Sequence, residues 1–454
     1  MFYIIESTNH IKQLFDQELD RDNDIFVHVI KSQPNTHICI SNTISLVYIF
    51  QINTSKGYML CIKHNETFSI DISIIEEYLQ RYKTIYCIDR PTILNTIPSL
   101  KSKLLDLSIT HWLKTNKKLE LPLTTCHDFY TKIYGKVYMN INEIIPVSKH
   151  YEVLEEFKNK HIYSLISEYT NTDSNIYRYY VLLQQLLNSI ESNPIGVNND
   201  ILIETLTPTN PAFSIQDNKL YTKYHFFTTT SRPQNVFNGI NFNSLPKENN
   251  SRDAFIPLND IYIEIDFNAY HVQLLSNLIG YTFDFKTDIY NQLLEEYKKH
   301  DKKIETREDS KKITITQLYN GVYEKFKDIE FFKKLDTYTN ELWFHYKETG
   351  IVNDPITGRN INYPVSETGK YKLLNYLLQS METSNNIGIL YNTLKSLSGL
   401  KSKLVLYNYD SLLIDACREE FEEIINNIIP QITQNKYIIN LSAGYTYGKL
   451  KKVK

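Results

Sequence analysis

Cysteine is scarce in this sequence of 454 residues: Cys39, Cys61, Cys87, Cys126 and Cys417 are scattered, odd in number and form no CxxC pair. That distribution argues against a zinc site or a disulfide framework and fits a reducing compartment, so a cytoplasmic location is expected. Long apolar runs are missing too. None approaches the ~20 residues needed to cross a bilayer, and no membrane partner is expected. The opening MFYIIESTNH lacks a charged segment followed by a long apolar one, so no secretory leader is expected. Nor is there an excess of positive charge, since 49 Lys and Arg against 52 Asp and Glu leave a net −3. Such a chain is no general polyanion binder, and any phosphate contact must come from local clusters. Glycine numbers only 13 whereas tyrosine numbers 35, with Asn, Ile and Lys abundant. These abundant types share A/T-rich codons, which points to the genome rather than to function.

What is present is the composition of a soluble globular protein, 42% hydrophobic and 22% charged, long enough for several buried cores. Residues 1–150 alternate β-like runs (FYIIE, DIFVHVI, HICIS, LVYIFQI, GYMLCI) with helical ones (IIEEYLQRY, SLKSKLLDLSITHWL), which predicts an α/β domain. A helical stretch including YYVLLQQLLNSIES follows and stops near Asn193, Pro194 and Gly196. After a polar stretch to about residue 220, the texture returns to mixed α/β through to the end.

Two apolar β runs deliver aspartates: IYIEIDF carries Asp266, and KLVLYNYDSLL carries Asp410. Two aspartates on neighbouring strands suit a pair of Mg²⁺ ions about 3.5–4 Å apart, the arrangement that assists phosphoryl transfer. Strand-end aspartates are also ordinary turn residues, and taken alone that reading outweighs the metal one. In REDSKKITITQLYN, Arg307, Lys311, Ile315 and Tyr319 recur every four residues and fall along one face of a helix. Two cations, an apolar residue and an aromatic in that order suit a triphosphate below a stacked base. The same spacing describes a solvated basic end on an ordinary helix.

Taken in order, these segments resemble the family A (DNA polymerase I-like) DNA polymerases over about residues 165–454. IEIDFNAYHVQLL resembles motif A, Arg307-x3-Lys311-x7-Tyr319 resembles motif B, and VLYNYDSLL resembles motif C. TTTSRPQN with Arg232, LLNYLLQSMETS with Asn375 and Gln379, and the closing NLSAGYTYGKL resemble further family segments. The resemblance implies a right-hand α/β (α+β) fold, with palm and fingers in residues 221–454 and fingers at about 285–350. It implies a template-directed DNA polymerase, a nucleotidyltransferase of DNA replication, phage-type, that adds dNTPs to a primer 3′ end. Asp266, Asp410 and the Phe267 carbonyl would bind two Mg²⁺ ions, for which Mn²⁺ would substitute. Lys311 would contact the phosphates and act as general acid, Arg307 would hold the γ-phosphate, Ile315 would pack on sugar and base, and Tyr319 would check the nascent pair. Arg232, Asn375 and Gln379 would touch the primer–template DNA.

The chain departs from the family pattern at several points. His271 replaces the glutamate that blocks the ribose 2′-hydroxyl, Ile315 replaces a frequent aromatic, and Tyr409-Asp410-Ser411 replaces His-Asp-Glu. His271 and Ser411 support a rival reading, a single-subunit RNA polymerase or primer-making polymerase. A non-catalytic DNA-binding replication scaffold is a third. Residues 1–150 resemble the family's ribonuclease H-like 3′–5′ exonuclease-type domain, but FVHVIKS carries His28 and Ile30 where Asp-x-Glu is required. Asp16 and Glu18 form a D-x-E on the preceding helix, where a solvated face is the better reading. Asp89 is offset, and Glu152, Glu155 and Glu156 occupy ordinary helix positions, so an inactive exonuclease fold is expected. Residues 151–220 would be a helical connector and a reduced thumb of about 20 residues. A short thumb implies weak duplex grip unless a processivity factor supplies it.

Overall fold

The computed structural model describes residues 72–119, 174–206, 217–235, 240–245, 250–284, 287–362, 369–433 and 436–453, residue 16, and the segments 2–3, 25–32, 35–41, 46–49, 58–61 and 66–69. They form two compact units, Met1–Val181 and Leu182–Lys454.

The first unit is built on a mixed six-stranded sheet. Its strands are β1 (Phe2–Tyr3), β2 (Ile25–Ser32), β3 (Asn35–Ser41), β4 (Leu46–Ile49), β5 (Thr84–Ile88) and β6 (Lys103–Asp106), in the order β1-β4-β3-β2-β5-β6. β2, β3 and β4 make an antiparallel meander, whereas β5 lies parallel to β2 and β6 parallel to β5. Parallel neighbours need crossovers. Helix α1 (Ile72–Leu79) precedes β5, and α2 (Arg90–Thr96) links β5 to β6. Ile25, Phe26 and Val27 are all fully buried, so both faces of the sheet are covered at β2. Ile75, Tyr78 and Leu79 of α1 recur at helical spacing and pack with Ile25, Val27 and Ile85.

One expectation is corrected. SLKSKLLDLSITHWL is not one helix: KLLD is strand β6, and α3 (Leu107–Thr115) begins at once after it. A short apolar run reads equally well as strand or helix by periodicity. The pairing of KLLD with β5 makes it a strand, and Asp106, fully buried, ends it: its Oδ1 accepts from the Ser108 amide (2.9 Å) and caps α3. Its Oδ2 accepts from the Arg90 amide at 2.9 Å, tying the start of α2 to the same point.

Two of the acids weighed from the sequence, Asp16 and Asp89, make local contacts. Asp16 is exposed and pairs with Arg81 at 2.7 Å. Asp89, at φ 58°, caps α2 by accepting from the Thr92 amide at 3.4 Å, and its other oxygen accepts from Thr92 Oγ1 at 2.7 Å. Glu18, Glu152, Glu155 and Glu156 lie outside the described residues. Helix α4 (Asn175–Glu191) contains the division between the units.

The second unit centres on an antiparallel sheet of β7 (Ile261–Phe267), β8 (Lys403–Asn408), β9 (Ser411–Ala416), β10 (Ile439–Gly444) and β11 (Lys451–Lys452), in the order β8-β9-β7-β10-β11. Ile263, Ile265 and Phe267 of β7 are buried on one face, while the other face carries buried Tyr262 and half-buried Glu264 and Asp266. The longer helices are α5 (Tyr270–Leu278), α6 (Ile289–His300), α7 (Arg307–Asn320), α8 (Glu330–Thr349) and α9 (Lys370–Ser396). At 27 residues α9 is about 40 Å long, and it packs against α5, α7 and α8. It buries Leu373, Leu374, Leu377 and Leu378, but also Glu382 and Asn386. Between Val197 and Tyr221 the described residues form the short helix Asn199–Thr205 and the strand Lys219–Leu220. No helix among the described residues is long and apolar enough to cross a membrane.

Candidate active site

The site is built at one end of the central strands. β7 lies between β9 and β10, so Asp266 faces Ser411 on one side and Asn440 on the other. Asn440 Nδ2 donates to Asp266 Oδ2 at 3.1 Å and fixes that carboxylate. Asp410 occupies the two-residue turn between β8 and β9, where Asn408 pairs with Ser411. The Phe267 amide donates to the Asp410 carbonyl at 2.8 Å, which draws the two aspartates to the same end of adjacent strands. Asp410 reaches solvent, yet displacement of surrounding water, then the charges of Glu382 and Asp266, push its carboxyl up to about 6. A divalent cation would relieve that repulsion. Two carboxylates with the Phe267 carbonyl, all oxygen donors, suit Mg²⁺ completed by phosphate and water. No cluster of three or more His, Cys, Asp or Glu residues with metal-site geometry occurs among the described residues.

The turn itself is held under strain. Tyr409 has φ 52°, a conformation tyrosine rarely adopts and one that costs on the order of 1–3 kcal/mol. Asn386 Nδ2 donates to the Tyr409 carbonyl at 2.7 Å, and the Arg232 guanidinium lies 3.6 Å from the Tyr409 ring centroid. Both contacts hold the turn that carries Asp410.

Helix α7 supplies the second wall. It begins with a capping box between Thr306 and Asp309. Its inner face is Ser310, Thr314, Gln317 and Leu318, mostly polar, anchored to α6 by hydrogen bonds. Ser310 Oγ donates to the Tyr290 carbonyl at 2.6 Å, and the Tyr297 hydroxyl bonds Thr314 at 2.9 Å and accepts from Gln317 at 3.0 Å. Anchoring that face leaves Arg307, Lys311, Ile315 and Tyr319 on a different face of α7, with Lys311 and Ile315 exposed and Arg307 and Tyr319 half-buried. Lys311 is exposed and has no ion-pair partner among the described residues. Ile315 is 37% exposed. Arg307 pairs with Asp288 Oδ2 at 2.8 Å, and Asp288 also accepts from Asn268 at 3.0 Å, which ties α7 to the segment after Asp266.

A polar row runs along α9 and completes the site. Gln379 Nε2 donates to Asn375 Oδ1 at 3.1 Å, and Gln379 Oε1 accepts from Thr230 Oγ1 at 3.3 Å. Glu382, one turn further, binds both Arg232 and His271. His271 Nδ1 meets the Tyr319 hydroxyl at 2.6 Å. Asp266, Phe267, His271, Arg307, Lys311, Ile315, Tyr319, Arg232, Asn375, Gln379 and Asp410 therefore all lie in the second unit. Direct contacts link His271 to Tyr319 and Asn375 to Gln379. Glu382, Asn386, Asn440 and Asp288 take part without having been expected. For Glu382 and Asn386 the sequence held one signal, acidic and amide side chains inside a long helix otherwise rich in leucine.

The chain matches the solved structure described as the POL domain of Pol1 from M. smegmatis in complex with DNA primer-template and dNTP, with TM-score 0.66 over 99% of both chains at 12% identity. The fold is that of a DNA polymerase I-like polymerase domain. It is an α/β polymerase fold. No family model and no curated protein matches the sequence.

Proposed function

We propose that this chain is a template-directed DNA polymerase that adds deoxynucleoside triphosphates to a primer 3′ end. The observation that carries the reading is the apposition of Asp266 and Asp410 at one end of β7 and the β8–β9 turn, within a polymerase fold. Asp266, Asp410 and the Phe267 carbonyl would hold two Mg²⁺ ions. When bound, these ions neutralise phosphate charge and lower the pKa of the attacking hydroxyl.

The chain's own residues do the positioning. Lys311 meets the incoming phosphates as a charge-assisted donor and gives its proton to the departing pyrophosphate. Arg307 exchanges Asp288 for the γ-phosphate. Ile315 and Tyr319, one and two turns beyond Lys311, contact sugar and base. Arg232, Asn375 and Gln379 meet the primer–template on the α9 side. The chemistry is largely electrostatic preorganisation and alignment.

In this reading residues 221–454 are palm and fingers, with fingers at about 285–350, residues 151–220 are a connector and reduced thumb, and residues 1–150 are an inactive exonuclease-like domain. Two-residue support for a ribonucleotide-using enzyme, His271 and Ser411, is weighed directly by experiment. Primer extension run separately with dNTPs and NTPs should give templated products with dNTPs. Products with NTPs alone would favour the RNA-making reading, and none with either would favour a scaffold.

A further inference from the structure

Glu382 is a carboxylate with 1% side-chain exposure, in the middle of α9. Its Oε2 lies 3.0 Å from an Arg232 nitrogen and 3.2 Å from His271 Nε2, and its Oε1 accepts from Arg232 at 3.3 Å. His271 passes the contact on, since its Nδ1 lies 2.6 Å from the Tyr319 hydroxyl. Arg232 passes it the other way, lying over the ring of Tyr409, the residue before Asp410. One buried carboxylate thus reaches α5, α7, the segment at 230–235 and the β8–β9 turn. Burial works against its charge, but His271 and Arg232 hold its carboxyl below the usual range.

Stability alone is a poor reason for this arrangement. Desolvating an ion pair costs several kcal/mol, and well-packed apolar residues often serve as well or better. Under the polymerase reading, however, the two partners of Glu382 would face different parts of a substrate. A nucleotide whose phosphates met Lys311 and whose base met Tyr319 would place its sugar beside the His271–Tyr319 contact, and Arg232 would stand on the primer side.

Resting on the polymerase reading above, we propose that Glu382 is a positioning residue that locks the His271–Tyr319 wall and Arg232 into one arrangement and thereby sets how strongly the site prefers deoxyribose over ribose. It touches neither nucleotide nor primer. With its charge in place, the imidazole is held edge-on against the Tyr319 hydroxyl and cannot swing away to admit a bulkier sugar. Because the same carboxylate holds Arg232, displacement on one side loosens the other.

The test is Glu382→Gln, which keeps the size and removes the charge, with His271→Gln and the double variant. Single-nucleotide incorporation is measured with dNTP and NTP, and the imidazole signals of His271 are followed by nitrogen NMR. Losing a charge-assisted bond should raise KM for dNTP by about tenfold or more and lower the dNTP-over-NTP preference by a similar factor, with kcat on dNTP changed less. The double variant should be no worse than the worse single one, because both break one chain of contacts. The His271 signals should shift in Glu382→Gln. A folded Glu382→Gln protein with wild-type KM and sugar preference overturns the proposal, as do strictly additive effects. If Glu382→Gln does not fold, Glu382→Asp, which keeps the charge and draws it back by one methylene, must show the same loss of preference, and wild-type preference there overturns it equally. If the wild-type protein extends no primer, the polymerase reading falls and this role falls with it. The NMR shift then separates that failure from a mistaken contact.

Discussion

Lys311 and Arg307 differ in what occupies them. Lys311 is exposed with no ion-pair partner among the described residues, whereas Arg307 already pairs with Asp288 at 2.8 Å. A cation whose only partner is the reacting phosphate acts mainly in the transition state, while one that exchanges an existing carboxylate contributes mainly to binding. Lys311→Ala is therefore expected to lower the rate of incorporation by about 10²-fold with little change in nucleotide affinity. Arg307→Ala should raise KM by about tenfold with a smaller effect on kcat. Pre-steady-state single-turnover kinetics separates the two, and unchanged values in both variants would leave α7 an ordinary solvated helix. The face of α7 that carries Arg307, Lys311, Ile315 and Tyr319 was legible from its four-residue spacing. Asp288 was not, because nothing in its local sequence distinguishes a helix cap from a partner for an arginine 19 residues away.

At the scale of elements, α9 carries the most that the sequence concealed. Its leucines mark a buried helix, but the contacts of its polar residues run to partners as distant as 150 positions, as between Arg232 and Glu382. Asn386 shows what they do. It accepts from the Tyr270 hydroxyl at 2.6 Å and donates to the Tyr407 hydroxyl at 2.9 Å and the Tyr409 carbonyl at 2.7 Å, clamping α5 and the β8–β9 turn together. Asn386→Ala should destabilise the second unit by about 2–4 kcal/mol, since it leaves several buried polar groups without partners. Urea unfolding measures this, and a shift under about 0.5 kcal/mol would mean the clamp is dispensable. β6 was misread as helix because KLLD is too short to show a period, and its pairing with β5 is what makes it a strand. The front strand β2 was legible, as was the lack of acids on it. Purified protein should accordingly leave single-stranded DNA 3′ ends intact in Mg²⁺ or Mn²⁺. Degradation that persists in Asp410→Ala would place exonuclease ligands elsewhere in the chain.

For the whole molecule, the sequence made the order of the polymerase segments readable because each sits on one short element. The relations between segments, set by tertiary pairing, became visible only in the fold. Grip on the duplex is a molecular property of the same kind. Each phosphate contact adds about 0.9 to the salt slope of log affinity, and a net charge of −3 offers no general attraction to replace contacts that a short thumb, as proposed for residues 151–220, would lack. The lone protein should add few nucleotides per encounter, and a DNA-trap extension assay yielding hundreds would contradict the reduced thumb. The central claim is more direct: Asp266 and Asp410 form the catalytic centre of a DNA polymerase. It is tested by extension of a primer–template with dNTPs and Mg²⁺ by the wild-type protein, Asp266→Ala and Asp410→Ala, with circular dichroism confirming the fold of each. The account predicts templated extension by the wild type and its loss in both variants, whereas near-normal extension by either folded variant, or none by the wild type, would contradict it.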